Sequence, residues 1–287
     1  MRLRLEYKWL VGIVFVFGIF MDLLDMTITN VALPTLAKDF TASTTTIQWV
    51  VTGYLLSLAV FIPVSGWAGD RFGTKRVFMF ALFLFTLGSF LCGMAWDIES
   101  LIAFRVLQGA GGGMLTPVGT AMLFRAFPPA ERALASAVLT IPIVVAPASG
   151  PVLGGYLVEY QSWRWIFLIN IPVGITGLLV AAAFLREERQ AHPGRLDVLG
   201  FILSAFGLAA VMYALAEAGS RGLDDGRVAL FGTIGVALIA VFATVELRTA
   251  EPMIDVRLFR DKLFRAANVV QFLGYGGMLG ALFLLPL

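Results

Sequence analysis

The stretch WLVGIVFVFGIFMDLLDMTITNVAL, residues 9–33, decides the fold. It is almost unbroken apolar sequence, and a helix needs about 20 such residues to cross the roughly 30 Å hydrocarbon core of a bilayer. Two acids, Asp22 and Asp25, interrupt it. Eight further apolar stretches follow, at 47–68, 77–96, 99–124, 134–158, 165–185, 198–216, 228–246 and 264–287, with short polar breaks such as 70–76, 125–132 and 186–195. The whole chain of 287 residues is 59% hydrophobic and 14% charged, with a mean hydropathy of +0.87. A water-soluble globule of this size leaves much of its surface to water and cannot hide that excess. The composition excludes a soluble enzyme, a disordered chain and a disulfide scaffold. It predicts an all-α polytopic membrane protein with about nine transmembrane helices.

Charge bias sets the orientation. With the N-terminus in the cytoplasm, sixteen Lys or Arg fall in inside segments: Arg2, Arg4 and Lys8; Arg71, Lys75 and Arg76; Arg125 and Arg132; Arg186, Arg189 and Arg195; and the 248–265 group. Four fall outside, Lys38, Arg164, Arg221 and Arg227, and only Arg105 lies within a span. The first apolar run is too long for a cleaved signal, carries two acids and lacks a small-x-small cleavage site, so it reads as a retained first span. The chain stops at Leu285-Pro286-Leu287, in or at the end of the ninth stretch, with no polar tail. We therefore expect a fragment of a longer protein.

Asp22 and Asp25 in span 1 and Arg105 in span 4 are the exceptional charges. A charge at mid-bilayer costs at least about 2.5–3.5 kcal/mol on insertion scales and marks a functional position by default. At about 1.5 Å per helical residue, Asp25 lies about 12 Å below the outer surface, Asp22 about 16 Å and Arg105 about 10 Å. Asp22, Asp25 and Thr29 share one face of span 1, as Arg105 and Gln108 do on span 4. The expectation is two polar stripes looking into one cavity; a plain buried ion pair fixing helix packing is the other reading. Two carboxylates one turn apart repel each other in a low dielectric, and a nearby guanidinium offsets that repulsion. A carboxylate so placed takes up and releases a proton as its surroundings alternate, the chemistry of proton-coupled transport.

Span 4 carries Gly109, Gly111, Gly112, Gly113 and Pro117, and span 5 carries Pro142, Pro147, Gly150, Pro151, Gly154 and Gly155. Such residues serve close helix packing or moving helices alike. Net charge +2 gives no case for nucleic-acid binding. One cysteine, Cys92, and one histidine, His192, leave no disulfide and no Cys/His metal cluster. The chain has no His-Glu-x-x-His, Gly-x-Ser-x-Gly or Gly-x4-Gly-Lys-Ser/Thr motif, so neither a membrane enzyme nor ATP-driven pumping is encoded. No cofactor is implied.

Several motifs, taken in order, resemble the major facilitator superfamily. Gly66-Trp-Ala-Gly-Asp70-Arg71-Phe-Gly73-Thr-Lys75-Arg76 resembles its signature cytoplasmic loop, and Arg105-Val-Leu-Gln108-Gly109 its span-4 motif. Ala146-Pro-Ala-Ser-Gly150-Pro151-Val-Leu-Gly154-Gly155 resembles the span-5 motif of its antiporters, with Ala146 where the pattern has glycine. Leu24-Asp25-Met-Thr27-Ile-Thr-Asn30-Val-Ala-Leu-Pro34, Gln48-Trp49-Val-Val-Thr52-Gly-Tyr54, Trp163-Arg164-Trp-Ile-Phe-Leu-Ile-Asn170-Ile-Pro172 and the linker Glu251-Pro252…Leu258-Phe259 resemble the fourteen-span drug/proton antiporters of EmrB/QacA type.

The resemblance implies a six-helix domain over 1–190, two additional helices over 191–250 and the start of a second six-helix domain over 251–287. It implies a proton-coupled antiporter of the plasma (bacterial inner) membrane that exports hydrophobic or cationic compounds through an apolar, permissive pocket rich in Phe, Trp and Met. Its partners are the lipid bilayer, a small hydrophobic substrate and protons. Coupling falls to Asp22, Asp25, Arg105, Gln108 and Asn30. Gly66, Asp70, Arg71, Gly73, Lys75 and Arg76 form the cytoplasmic gate, Asp70 and Arg71 by capping a helix of the second domain. Gly150, Pro151, Gly154 and Gly155 form the antiporter helix motif. The rival readings are a carrier for a defined metabolite on the same fold, and a non-transporting truncated product.

Overall fold

The computed structural model describes residues 6–190, 194–249 and 251–284. Arg2, Arg4, His192 and the terminal 285–287 lie outside the described residues. Within them the chain is helical without strands: α1 (Tyr7–Asp39), α2 (Thr44–Phe72), α3 (Thr74–Gly93), α4 (Ile98–Ala126), α5 (Arg132–Tyr160), α6 (Trp165–Leu168), α7 (Asn170–Phe184), α8 (Val198–Arg221), α9 (Gly226–Glu246) and α10 (Lys262–Leu284). Taken with α6 and α7 as one broken span, they correspond in order to the nine expected spans. Seven are long and apolar enough to cross a membrane by length and composition. α4 is not among those seven, because its glycines, Arg105 and Gln108 dilute its hydropathy.

Local chemistry sets the boundaries. The Ser43 hydroxyl caps α2 by accepting from the Thr46 N–H at 3.1 Å. Asp97 and Ser100 form a reciprocal capping box at the start of α4, with Ser100 N–H donating to Asp97 Oδ1 at 2.7 Å. The expected polar break at 70–76 is shorter than its sequence suggests: α2 runs to Phe72 and a single residue, Gly73 at φ +100°, turns the chain into α3. The sixth span, expected as one helix over 165–185, breaks at Ile169. Pro172 has no N–H to give the Leu168 carbonyl four residues back, and beside this point the Ser89 hydroxyl donates to the Phe167 carbonyl at 2.9 Å.

α4 lies between α2 and α3, α1 packs on α5 and also meets α4 and α7, and the α8/α9 pair rests on the bundle chiefly through α2. α10 packs on the Val256–Arg260 turn and exposes its described side chains. In a membrane, helices associate by close packing rather than by expulsion of water, so small residues sit at the crossings. A Cβ on Gly113 would meet the Leu58 carbonyl oxygen at 2.5 Å, and one on Gly88 the Gln108 backbone at 2.6 Å; Gly109 faces Tyr54 and Gly111 faces Phe85 in the same way. The glycines of span 4 thus let α2 and α3 approach to backbone contact. One apolar core at the outer end joins Ile28, Leu36, Val50, Leu101, Trp163 and Phe167, and another toward the inner end joins Val14, Phe78, Leu82, Leu115 and Val118. A polar layer lies between them.

Candidate functional site

Asp25 on α1 and Arg105 on α4 form an ion pair of 2.5 Å between Oδ2 and Nη1, and neither residue has exposed surface. Depth estimated from each helix separately had put them about level. The other carboxylate oxygen, Oδ1, accepts from Gln108 Nε2 at 2.9 Å and from Asn170 Nδ2 at 3.2 Å. Arg105 also donates to the Val50 carbonyl at 3.1 Å through Nε and to Gln108 Oε1 at 2.8 Å. Asn170 reaches Ser89 Oγ at 3.0 Å, and the Cys92 thiol touches Gln108 Oε1 at 3.6 Å. Asp22 accepts a hydrogen bond from the Tyr54 hydroxyl, and the Tyr54 ring lies 4.1 Å from the Arg105 guanidinium carbon. Side chains of α1, α2, α3, α4 and α7 therefore meet in one layer.

The two stripes meet as expected in depth but not in setting. The expectation was a shared cavity; in the described residues the network is buried, with Gln108, Asn170 and Tyr54 packed around the two charges. A buried charge is tolerable where its partners are complete, and Asp25 has a guanidinium on one oxygen and two amide donors on the other. Tyr54, Asn170 and Ser89 were not among the expected site residues. The signal was present for two of them: each is a polar side chain inside an apolar span, Tyr54 ending one quoted motif and Asn170 lying within another.

The remaining expected residues fall in three groups. Asn30 stands apart from the network, exposed, donating to the Met26 carbonyl of its own helix at 3.1 Å. At the inner end, Asp70 accepts from Arg125 Nη2 at 2.9 Å, tying the end of α2 to the end of α4. Lys75 donates to the Ala182 and Leu185 carbonyls at 2.8 and 2.7 Å, closing the C-terminus of α7, and Arg76 pairs with Glu187 at 3.5 Å. Arg71 is exposed, and a Cβ on Gly66 would meet no atom within 4 Å. In the span-5 motif, Gly150 abuts Thr27 and Gly154 abuts Ile28, so both seat α5 on α1. Pro151 is exposed and Gly155 has open space beside it, so those two lie on the other face of α5.

Cavities flank the bundle, and two of them bear on the site. One of about 370 Å³ is wholly apolar, lined by Trp9, Gly12, Ile13, Phe17, Val138 and Val173 from α1, α5 and α7. The other, about 240 Å³ at the inner end, is lined by Trp67, Asp70, Arg195, Asp197, Glu251 and Met253. There the Trp67 indole donates to the Gly194 carbonyl at 3.0 Å, and Glu251 accepts from the Arg195 N–H at 2.9 Å.

Residues 15–287 match the family model described as Major Facilitator Superfamily. The chain is 42% identical over 264 residues to the multidrug resistance protein B homolog of Mycobacterium tuberculosis, covering 91% of this chain and 49% of that protein. It is 36% identical over 275 residues to the MFS-type transporter YhcA of Bacillus subtilis, covering 96% of this chain and 52% of that one. The chain thus spans about half the length of these curated relatives. Its fold is similar to that of a bacterial homolog of the human lysosomal transporter Spinster in an inward-facing, occupied conformation, with a TM-score of 0.56 and 20% identity over 88% of this chain and 65% of that one. These matches and the membrane-spanning helices describe a multi-pass protein of the bacterial inner membrane. The chain belongs to the major facilitator superfamily.

Proposed function

We propose that this chain is the proton-coupling, N-terminal part of an antiporter that exports hydrophobic or cationic compounds in exchange for protons. The observation that carries the reading is the Asp25 carboxylate, with no exposed surface and shared by Arg105, Gln108 and Asn170. Asp25 is the proton carrier. A proton that reaches it forms a carboxyl O–H and removes the negative charge that holds Arg105. The guanidinium keeps the Val50 carbonyl and Gln108 Oε1, while the attraction that pins α1 to α4 is lost. Helices 1 and 4 are then free to change their packing. Release of the proton to the opposite side restores the pair. Asp22, one turn away, belongs to the same unit.

The domain division follows the same reading: six helices over 1–190, an accessory pair over 191–250, and the opening of a second six-helix unit over 251–287. The Asp70–Arg125 tie and the Lys75 clasp make the inner ends of α2, α3, α4 and α7 one plate, the surface against which the second unit closes. The relative from Mycobacterium tuberculosis carries multidrug resistance in its name, and the apolar groove of α1, α5 and α7 suits hydrophobic compounds at inner-leaflet depth. The test is efflux driven by a pH gradient in vesicles containing the full-length protein. Asp25→Asn abolishes exchange while the protein still inserts; unchanged exchange in that variant overturns the assignment.

A further inference from the structure

Asp22 stands three residues before Asp25 on α1 and is 4% exposed. Its carboxylate accepts from the Tyr54 hydroxyl of α2, and the ring bearing that hydroxyl lies against the Arg105 guanidinium of α4, 4.1 Å from carbon to centroid. One side chain thus holds one acid by its hydroxyl and, by its face, the cation that pairs with the other acid. The arrangement depends on a missing side chain: a Cβ on Gly112 of α4 would stand 2.7 Å from Asp22 Oδ1 and 2.8 Å from the Tyr54 hydroxyl oxygen. The charged and titratable groups around Asp22 are Asp25 on its own helix, Tyr54 from α2 and Arg105 from α4; α3 contributes Cys92, on Gln108.

We propose that Tyr54 is a positioning residue that joins Asp22 to the Asp25–Arg105 pair, so that the two acids take up and release protons as one coupled unit rather than as independent sites. This rests on the reading of Asp25 as proton carrier. When Asp25 is neutralised, the Tyr54 ring is one of the groups still holding Arg105. A shift of the guanidinium moves the ring, and with it the hydroxyl that serves Asp22. In the other direction, a charged Asp22 fixes the hydroxyl and keeps the ring beneath the cation. Interacting sites of this kind titrate as a pair.

The pH profile of efflux in vesicles carrying the full-length protein tests this. Tyr54→Phe keeps the ring and removes the hydroxyl, and it moves the midpoint of the profile by about one pH unit, the scale of a single hydrogen bond to a charged group. In an Asp22→Asn background the same substitution moves it no further. Gly112→Ala, which wedges a methyl group between the two partners without touching backbone, reproduces the Tyr54→Phe profile. A Tyr54→Phe profile that superimposes on the parent, or a shift that survives in Asp22→Asn, overturns the proposal. If Asp25→Asn still exchanges protons, the underlying reading fails instead; if Asp25→Asn is inactive and Tyr54→Phe is silent, only the coupling fails.

Discussion

Asn170 reaches Asp25 from beside the break in the sixth span, its amide donating to Oδ1 at 3.2 Å and to Ser89 Oγ at 3.0 Å. The break and the contact have a common origin. Pro172 interrupts the backbone ladder two residues after Asn170, and the side chain at the interruption binds the carboxylate on α1 and the hydroxyl on α3. Asn170→Leu removes both donors and leaves the volume filled. We expect a loss of about 1–3 kcal/mol in stability, the usual cost of a buried polar group left unpaired, read as a lower melting temperature in detergent. An unchanged melting temperature would show that the amide is a bystander.

Removing one member of the central pair is harsher than removing both. Asp25→Asn leaves Arg105 buried without its anion, at a cost of about 3–5 kcal/mol. Asp25→Leu combined with Arg105→Met removes both charges and recovers most of that loss. Thermal unfolding of the two variants and the parent checks the order. The double variant remains inactive in proton-driven efflux, which separates a stabilising role from a coupling role.

The span-5 motif divides into a packed face and a free face. A Cβ at Gly150 would collide with Thr27 and approach the Ile28 backbone nitrogen to 3.3 Å, whereas one at Gly155 would meet nothing within 4 Å. Gly150→Ala therefore forces α5 off α1 and costs about 1–3 kcal/mol by overpacking, while Gly155→Ala stays within about 0.5 kcal/mol of the parent. Equal effects of the two substitutions would contradict the α1–α5 crossing described above.

At the outer surface, the N–H and hydroxyl of Ser100 hold the Asp97 carboxyl below the ordinary carboxylate range, with the backbone bond the larger cause. The folded form thus prefers the charged cap. Its stabilisation is present above the ordinary value of 3.8 and is lost as pH falls through the lower folded value. Asparagine caps a helix about as well and does not titrate. Unfolding followed from pH 5 downward should show a steeper loss of stability for the parent than for Asp97→Asn, and parallel curves would exclude the cap as the source.

The number and order of the helices were legible in the sequence, because apolar length is a property of single helices. The juxtaposition of Asp25 with Arg105 was legible for the same reason, since depth follows from residue count along each helix. What periodicity cannot supply is the content of the space a polar face looks into. Asp22 and Asp25 do share a face, and that face meets Gln108, Tyr54 and Asn170. Asn30 shared a motif with Asp25 but lies five residues on, which turns it away from the network to the surface. The turn at Gly73 and the break at Ile169 escaped because a hydropathy profile records where apolar sequence ends, not where a backbone carbonyl loses its donor.

The accessory pair of helices hangs from α2, with Tyr213 of α8 against Trp49 at 5.8 Å between ring centroids. That same α2 supplies the Val50 carbonyl and Tyr54 to the polar layer and Asp70 to the inner end. The pair is thus an outrigger fixed to a rod that, like α4, runs from the charged layer to the inner end of the bundle. A tilt of α2 would carry both helices of the pair with it, because α8 is seated on α2 and α9 on α8.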